Sequence, residues 1–282
     1  MVMYENFAYL YDELMDNVPY EKWADMLDEI IREEGISIPN SDSADTADAE
    51  RNQVLDLCCG TGTLTELMYE KGYDMIGVDN SEDMLNVAYE KRDIKGSEIL
   101  YLLQDIRELD LYSTVGTIYC LCDSINYITD PEDLFIVFSL VHNYLYTDGL
   151  FIFDFNTVHK YRDVIGDITI AENREDCSFI WENSYDDEEN INEYDLTVFA
   201  RDEEASNDEK VLFGRFEESH FQRGYELNEL RELLEKAGFS IVSCFDEEAV
   251  EKSGYLSVKG SSFNEDMLNR EAERIYIIAR KG

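Results

Sequence analysis

The run Asp56-Leu57-Cys58-Cys59-Gly60-Thr61-Gly62 stands where one apolar stretch, QVLDLCC (53–59), ends and an amphipathic segment begins. Glycines at such a turn let a ligand approach the backbone where a Cβ would collide. A second apolar stretch, YDMIGVD (73–79), ends in Asp79, 17 residues after Gly62, where a carboxylate can accept both hydroxyls of a ribose. A third, ILYLLQD (99–105), ends in Asp105, followed by Ile106. That pair suits an adenine, the carboxylate taking its exocyclic amine and the isoleucine its face. Three acids at three successive strand ends outline one ligand. Dinucleotide binding asks for G-x-G-x-x-G, but the corresponding positions are Cys58, Gly60 and Thr63, so there is no third glycine and no cradle for a pyrophosphate.

The elements that must position these residues read as strand then helix, repeated. Two further apolar runs, TIYCLCD (117–123) and GLFIFDFN (149–156), complete five strands buried on both faces, which predicts a parallel sheet with right-handed crossovers. Asn80 is placed to cap the helix carrying Asp83, and Asp130-Pro131-Glu132-Asp133 supplies a cap, a first-turn proline and first-turn acids for the next. Before the sheet, residues 4–34 have helical spacing and stop at Gly35, whereas SDSADTADAE (41–50) has too little to bury to order itself. From 157 to 223 the rhythm changes to SFIWENSYD, NINEYDLTVFAR and KVLFGRFEESHFQR, three antiparallel strands without helices between them. YELNELRELLEKAG then forms a helix ended by Gly238, and FSIVSCF and RIYIIARK are the last strands. The divisions expected are a helical leader (1–35), an acidic linker (36–52), an α/β core (53–156), an antiparallel insertion (157–223) and a closing helix with strands (224–282).

DLCCGTG, GVDNSEDML and LLQDIREL together resemble three motifs of the class I S-adenosylmethionine-dependent methyltransferases, with Cys58 where that loop commonly has glycine. The leader MYENFAYLYDELM, the segment CLCDSINYITDPEDL and the tail ESHFQRGYELNELRELLEKAGF resemble a branch containing amino-sugar and glycine N-methyltransferases and bacterial members of unassigned substrate. The resemblance implies a doubly wound, seven-stranded, mostly parallel α/β sheet of the Rossmann-like methyltransferase type with an antiparallel β insertion. It implies S-adenosyl-L-methionine held by Tyr11, Trp23, Asp56, Cys58, Gly60, Thr61, Gly62, Asp79, Asn80, Met84, Asp105, Ile106 and Cys122. It places the methionine end and the acceptor near Asp123-Ser124-Ile125-Asn126 and Asn156, with Tyr4, Phe7 and Tyr11 as a lid. His220 shares a strand face with Phe216 and Leu212 and, with Asp123, is the candidate catalytic group.

Charge narrows the acceptor. Lys+Arg total 23 against 64 Asp+Glu, a net charge of −41, which repels phosphate backbones and anionic lipid. A small-molecule acceptor, an amine nitrogen first, is therefore expected over RNA, and neither nucleic acid nor membrane is an expected partner. An RNA methyltransferase and a non-catalytic S-adenosylmethionine-binding protein are the alternatives. The six cysteines form no CxxC pair and have no histidine at ligand spacing, so buried thiols are expected rather than disulfides or a metal site. With acids and tyrosines at the amino terminus in place of a basic patch and an apolar run, the chain reads as cytoplasmic.

Overall fold

The computed structural model describes residues 8–40, 46–202, 205–206, 210–248, 254–258 and 265–282. Strands β1 (Gln53–Leu57), β2 (Asp74–Asp79), β3 (Leu100–Leu103), β4 (Val115–Cys120), β5 (Leu145–Asn156), β10 (Phe239–Asp246) and β11 (Arg274–Lys281) form one sheet in the order β10-β11-β5-β4-β1-β2-β3. Only β11 runs against its neighbours. Alternate residues of the inner strands enter two cores, Leu55, Ile118 and Phe151 on one face and Val54, Tyr119 and Ile152 on the other. Burial on both faces is why these strands read as continuous apolar runs. Strand order reverses at β1, with β2 on one side and β4 on the other, and the carboxyl ends there open a crevice.

Helices α4 (Thr63–Glu70), α5 (Glu82–Lys95) and α6 (Pro131–Tyr144) link the parallel strands. Asp130 caps α6 through the Glu132 N–H at 2.8 Å with Pro131 in the first turn, as expected. The cap of α5 is Ser81, whose hydroxyl accepts from Met84 N–H at 3.3 Å, rather than Asn80. Asp79 already accepts from the Ser81 backbone, which moves the helix start one residue on. Helix α7 (Leu227–Ala237) buries Leu227, Leu230 and Leu234 and ends at Gly238 with φ 100°.

The leader is two helices, α1 (Ala8–Leu14) and α2 (Tyr20–Glu34), interrupted before Pro19. Within the stretch expected to be unordered, 41–45 lie outside the described residues, but α3 (Thr46–Asn52) is helical. Its order comes from backbone anchoring rather than apolar packing. Ser37 donates to Arg51 O at 3.1 Å, Ile38 N–H donates to Asn52 Oδ1 at 3.1 Å, and Gly116 of β4 lets the Arg51 carbonyl pack directly on the strand.

The insertion holds four antiparallel strands rather than three, in the order β6 (Thr169–Asn173), β7 (Cys177–Asp186), β8 (Ile191–Arg201), β9 (Phe213–Arg223). A π-helical turn, Lys160–Ile165, precedes them. The β8 side chains Leu196, Val198 and Ala200 bury Leu10 of α1, so the leader packs under this sheet. Among the described residues no helix is long and apolar enough to cross a membrane.

Candidate functional site

A cavity of about 960 Å³ lies where the carboxyl ends of the parallel strands meet the inner faces of α1, α2 and the four-stranded sheet. Its first wall is the turn after β1. Cys58 holds φ 66° there, a left-handed conformation that costs a side-chain-bearing residue about 1–2 kcal/mol and explains why glycine suits the position. Gly60 N–H donates to Asp79 Oδ2 at 2.8 Å and Ser81 N–H donates to Oδ1 at 2.9 Å, so Asp79 ties the turn to the end of β2. Desolvation pushes the Asp79 carboxyl above the usual range, partly offset by those backbone donors. Gly60, at φ 53°, has nothing within 4 Å of the place a Cβ would occupy, which leaves the backbone open to close approach from the cavity.

Asp56 is buried, accepts the Thr65 hydroxyl at 2.6 Å and is pushed up to about 7 by desolvation. Asp105 caps the short turn Ile106–Glu108 and pairs with Arg107, whose hydrogen bonds draw its carboxyl down. Above the turn, Asp12 of α1 accepts from Thr61 at 2.6 Å and Thr63 at 3.1 Å and pairs with Lys91 at 2.5 Å. The leader is thus latched onto the glycine turn.

The second wall is a directed chain of hydrogen bonds. Lys160 Nζ donates to Asn156 Oδ1 at 3.0 Å, and Asn156 Nδ2 donates to Tyr161 Oη at 3.0 Å. Tyr161 donates to Gln222 Oε1 at 3.0 Å, and Gln222 Nε2 donates to Asp123 Oδ2 at 2.8 Å. Arg274 closes the chain, donating to Asp123 Oδ1 at 2.7 Å and to buried Asp154. Burial pushes the Asp154 carboxyl up to about 6 against the pull of Arg274. With both oxygens engaged, Asp123 organises this wall rather than standing free as a proton acceptor.

The third wall is the inner sheet. His220 stacks on Tyr194 at 4.7 Å and meets Tyr127 edge-on at 5.8 Å. Its Nδ1 lies 3.3 Å from Tyr127 Oη, which contacts Tyr194 Oη at 2.6 Å. Its Nε2 is buried without an aligned hydrogen bond, 3.2 Å from Glu218 Oε2. Trp181, Phe179, Glu172 and Glu218 complete the face.

Of the residues singled out in the sequence, Tyr11, Trp23, Asp56, Cys58, Gly60, Thr61, Asp79, Asn80, Met84, Asp105, Ile106, Cys122, Asp123, Ser124, Asn156 and His220 all line this one cavity. Tyr4 and Phe7 lie outside the described residues. Gly62 does not line it. With φ 73° it starts α4, and a Cβ there would run into the Tyr101 hydroxyl, so its role is packing. Asn126 is also elsewhere, fully buried and spent on backbone bonds to Asn156 and to Arg223 O at 2.7 Å. Arg274, Lys160, Gln222, Tyr127, Tyr161 and Tyr194 line the cavity without having been singled out. The available signal was an arginine heading the apolar run RIYIIARK, where a strand start carries a charge into a sheet end already rich in acids.

Three comparisons bear on this geometry. A model of the methyltransferase domain family matches residues 54–149. The chain is 32% identical over 242 residues to "Putative methyltransferase YqeM" of Bacillus subtilis (strain 168), covering 85% of this chain and 87% of that one. A crystal structure of an S-adenosylmethionine-dependent methyltransferase from Clostridium acetobutylicum superposes with a TM-score of 0.78 at 28% identity, covering 99% of both chains. CalS10, an amino pentose methyltransferase from Micromonospora echinaspora solved with bound cofactor, shares the fold, with a TM-score of 0.66 at 13% identity over 98% of each chain.

Proposed function

Because this chain belongs to the S-adenosylmethionine-dependent methyltransferases, we propose that it methylates a small molecule at an amine nitrogen, enclosed between the strand ends and the antiparallel sheet. The cavity fits the cofactor. Asp79 is positioned for the ribose, Asp105 and Ile106 for the adenine, and the Cys58–Thr61 turn, open at Gly60, for the methionine part. Tyr11, Trp23 and Cys122 border the remaining space, where aromatic faces favour a sulfonium. The cofactor supplies an electrophilic methyl group.

What the chain contributes is alignment and exclusion of water. Fixing donor and acceptor in line can supply roughly 7–11 kcal/mol of a barrier. The observation that carries the amine reading is the third wall, where the rings of Trp181, Tyr194 and Tyr127 line the cavity together with the carboxylate of Glu218. Aromatic faces and carboxylates attract an ammonium before it sheds its proton. His220 is the base in this wall, reached through the Tyr127 hydroxyl 3.3 Å from its Nδ1, with Glu218 3.2 Å from Nε2 to stabilise the resulting imidazolium. Asp123, engaged by Arg274 and Gln222, holds the floor in register.

The test is S-adenosylhomocysteine release over matched amines and alcohols, followed by His220→Ala. Amines should turn over and their alcohol counterparts should not. The variant should lose roughly 10²-fold or more in turnover while S-adenosylhomocysteine affinity stays within about threefold. Preference for the alcohols, or a His220→Ala protein with normal turnover and poor cofactor binding, would overturn the reading.

A further inference from the structure

Lys160 opens the π-helical turn that follows β5, a rare geometry fixed by the i to i+5 bond from Gly166 N–H to Tyr161 O at 2.7 Å and often found at functional sites. Its ammonium lines the cavity, and Nζ makes one hydrogen bond, to the neutral Asn156 Oδ1 at 3.0 Å. That amide is held in orientation because its other end donates to Tyr161. No carboxylate of the described residues stands within ion-pairing distance of Lys160. Arg274, by contrast, is matched by Asp123 and Asp154. A cation taken largely out of water without a counter-charge is costly, and among the described residues two of its three N–H donors have no protein acceptor. Desolvation and the Arg274 guanidinium draw the Lys160 ammonium below the ordinary lysine range, while Asp123, Glu273 and Glu247 act from farther off to keep it charged. The sheet wall, with Glu218 beside His220, has the opposite polarity.

We propose that Lys160 anchors an oxyanion of the acceptor, a carboxylate or a phosphate, so that the substrate is an amine carrying an acidic group. This rests on the amine reading above and adds a second recognition point. The sheet wall takes the nitrogen and Lys160 takes the acid, which orients the lone pair between them.

The experiment is calorimetry on the S-adenosylhomocysteine-loaded protein with matched probes: tyrosine against tyramine, histidine against histamine, and glucosamine 6-phosphate against glucosamine. The acidic member of at least one pair should bind roughly tenfold or more tightly, and which pair responds separates carboxylate from phosphate. Lys160→Met should cost that member roughly 10–100-fold while leaving the member without the acid within about threefold. Lys160→Arg should keep most of the preference. The proposal is overturned if no pair favours its acidic member, or if Lys160→Met weakens both members alike. Adding 4-hydroxyphenylpropionate, which lacks the nitrogen, separates the two readings. If it binds like tyrosine and is itself methylated when S-adenosylmethionine replaces S-adenosylhomocysteine, the amine reading fails and the anchor stands. If amines lacking an acid are methylated from S-adenosylmethionine as well as their acidic partners, the anchor alone fails.

Discussion

Asp56 concentrates the energetic tension of the site in one side chain. It is buried, its carboxyl titrates at about 7 against 3.8 unfolded, and burial is the main cause. An acid whose folded value is raised contributes stability below its unfolded value and loses it as pH rises through the folded one. The window is therefore pH 3.8 to about 7, with a ceiling of ~4 kcal/mol at ~1.4 kcal/mol per unit. Asparagine keeps an acceptor for Thr65, so Asp56→Asn should be more stable than wild type by about 1–3 kcal/mol above pH 7, with the gain vanishing below pH 4. Urea unfolding at the two pH values checks this, and an equal effect at both would contradict it. Asp56, Asp79 and Asp105 were legible in the sequence because β1, β2 and β3 are neighbours in both chain and sheet, so their ends had to cluster. Arg274 was not, because β11 enters the sheet beside β5 only after the insertion and α7 have been crossed. Asn126 and Gly62 fall in the right turns but face inward, and facing depends on turn geometry that residue type does not state.

At the scale of elements, α1 joins two parts of the site. Its Leu10 is buried against the antiparallel sheet, while its Asp12 holds Thr61, Thr63 and Lys91. Arg174 at the sheet edge reaches back to Asp16 at 3.0 Å. Because Lys91 and Asp12 are only partly buried, the latch contributes modestly, about 0.5–1 kcal/mol. Asp12→Asn should therefore weaken S-adenosylhomocysteine binding roughly two- to fivefold, mainly through faster dissociation, with little change in melting temperature. Stopped-flow dissociation measures it, and an unchanged rate would separate the leader from cofactor retention. Apolar period and capping residues marked α5, α6 and α7 because those helices are built on buried faces. Helix α3 escaped because Ser37 and the Ile38 backbone order it through the Arg51 carbonyl and the Asn52 side chain, with no apolar stripe to read.

The molecule as a whole carries −41 on 282 residues, so its folded surface repels itself. Raising salt from 0.1 to 1 M shortens the screening length from ~10 Å to ~3 Å, which should raise the melting temperature by several degrees. A fall on adding salt would mean that ion pairs outweigh the repulsion. The same field is expected to repel polyanions and to draw cations toward the cavity, which joins the global charge to the aromatic and acidic sheet wall. The central claim is that the enclosed acceptor is a small amine. Its most direct test is to supply methyl-carbon-13 S-adenosylmethionine together with a small-metabolite extract and identify by NMR the atom that receives the label. A new N-methyl carbon on a small molecule is the predicted result. Label found only on oxygen or on carbon would contradict it.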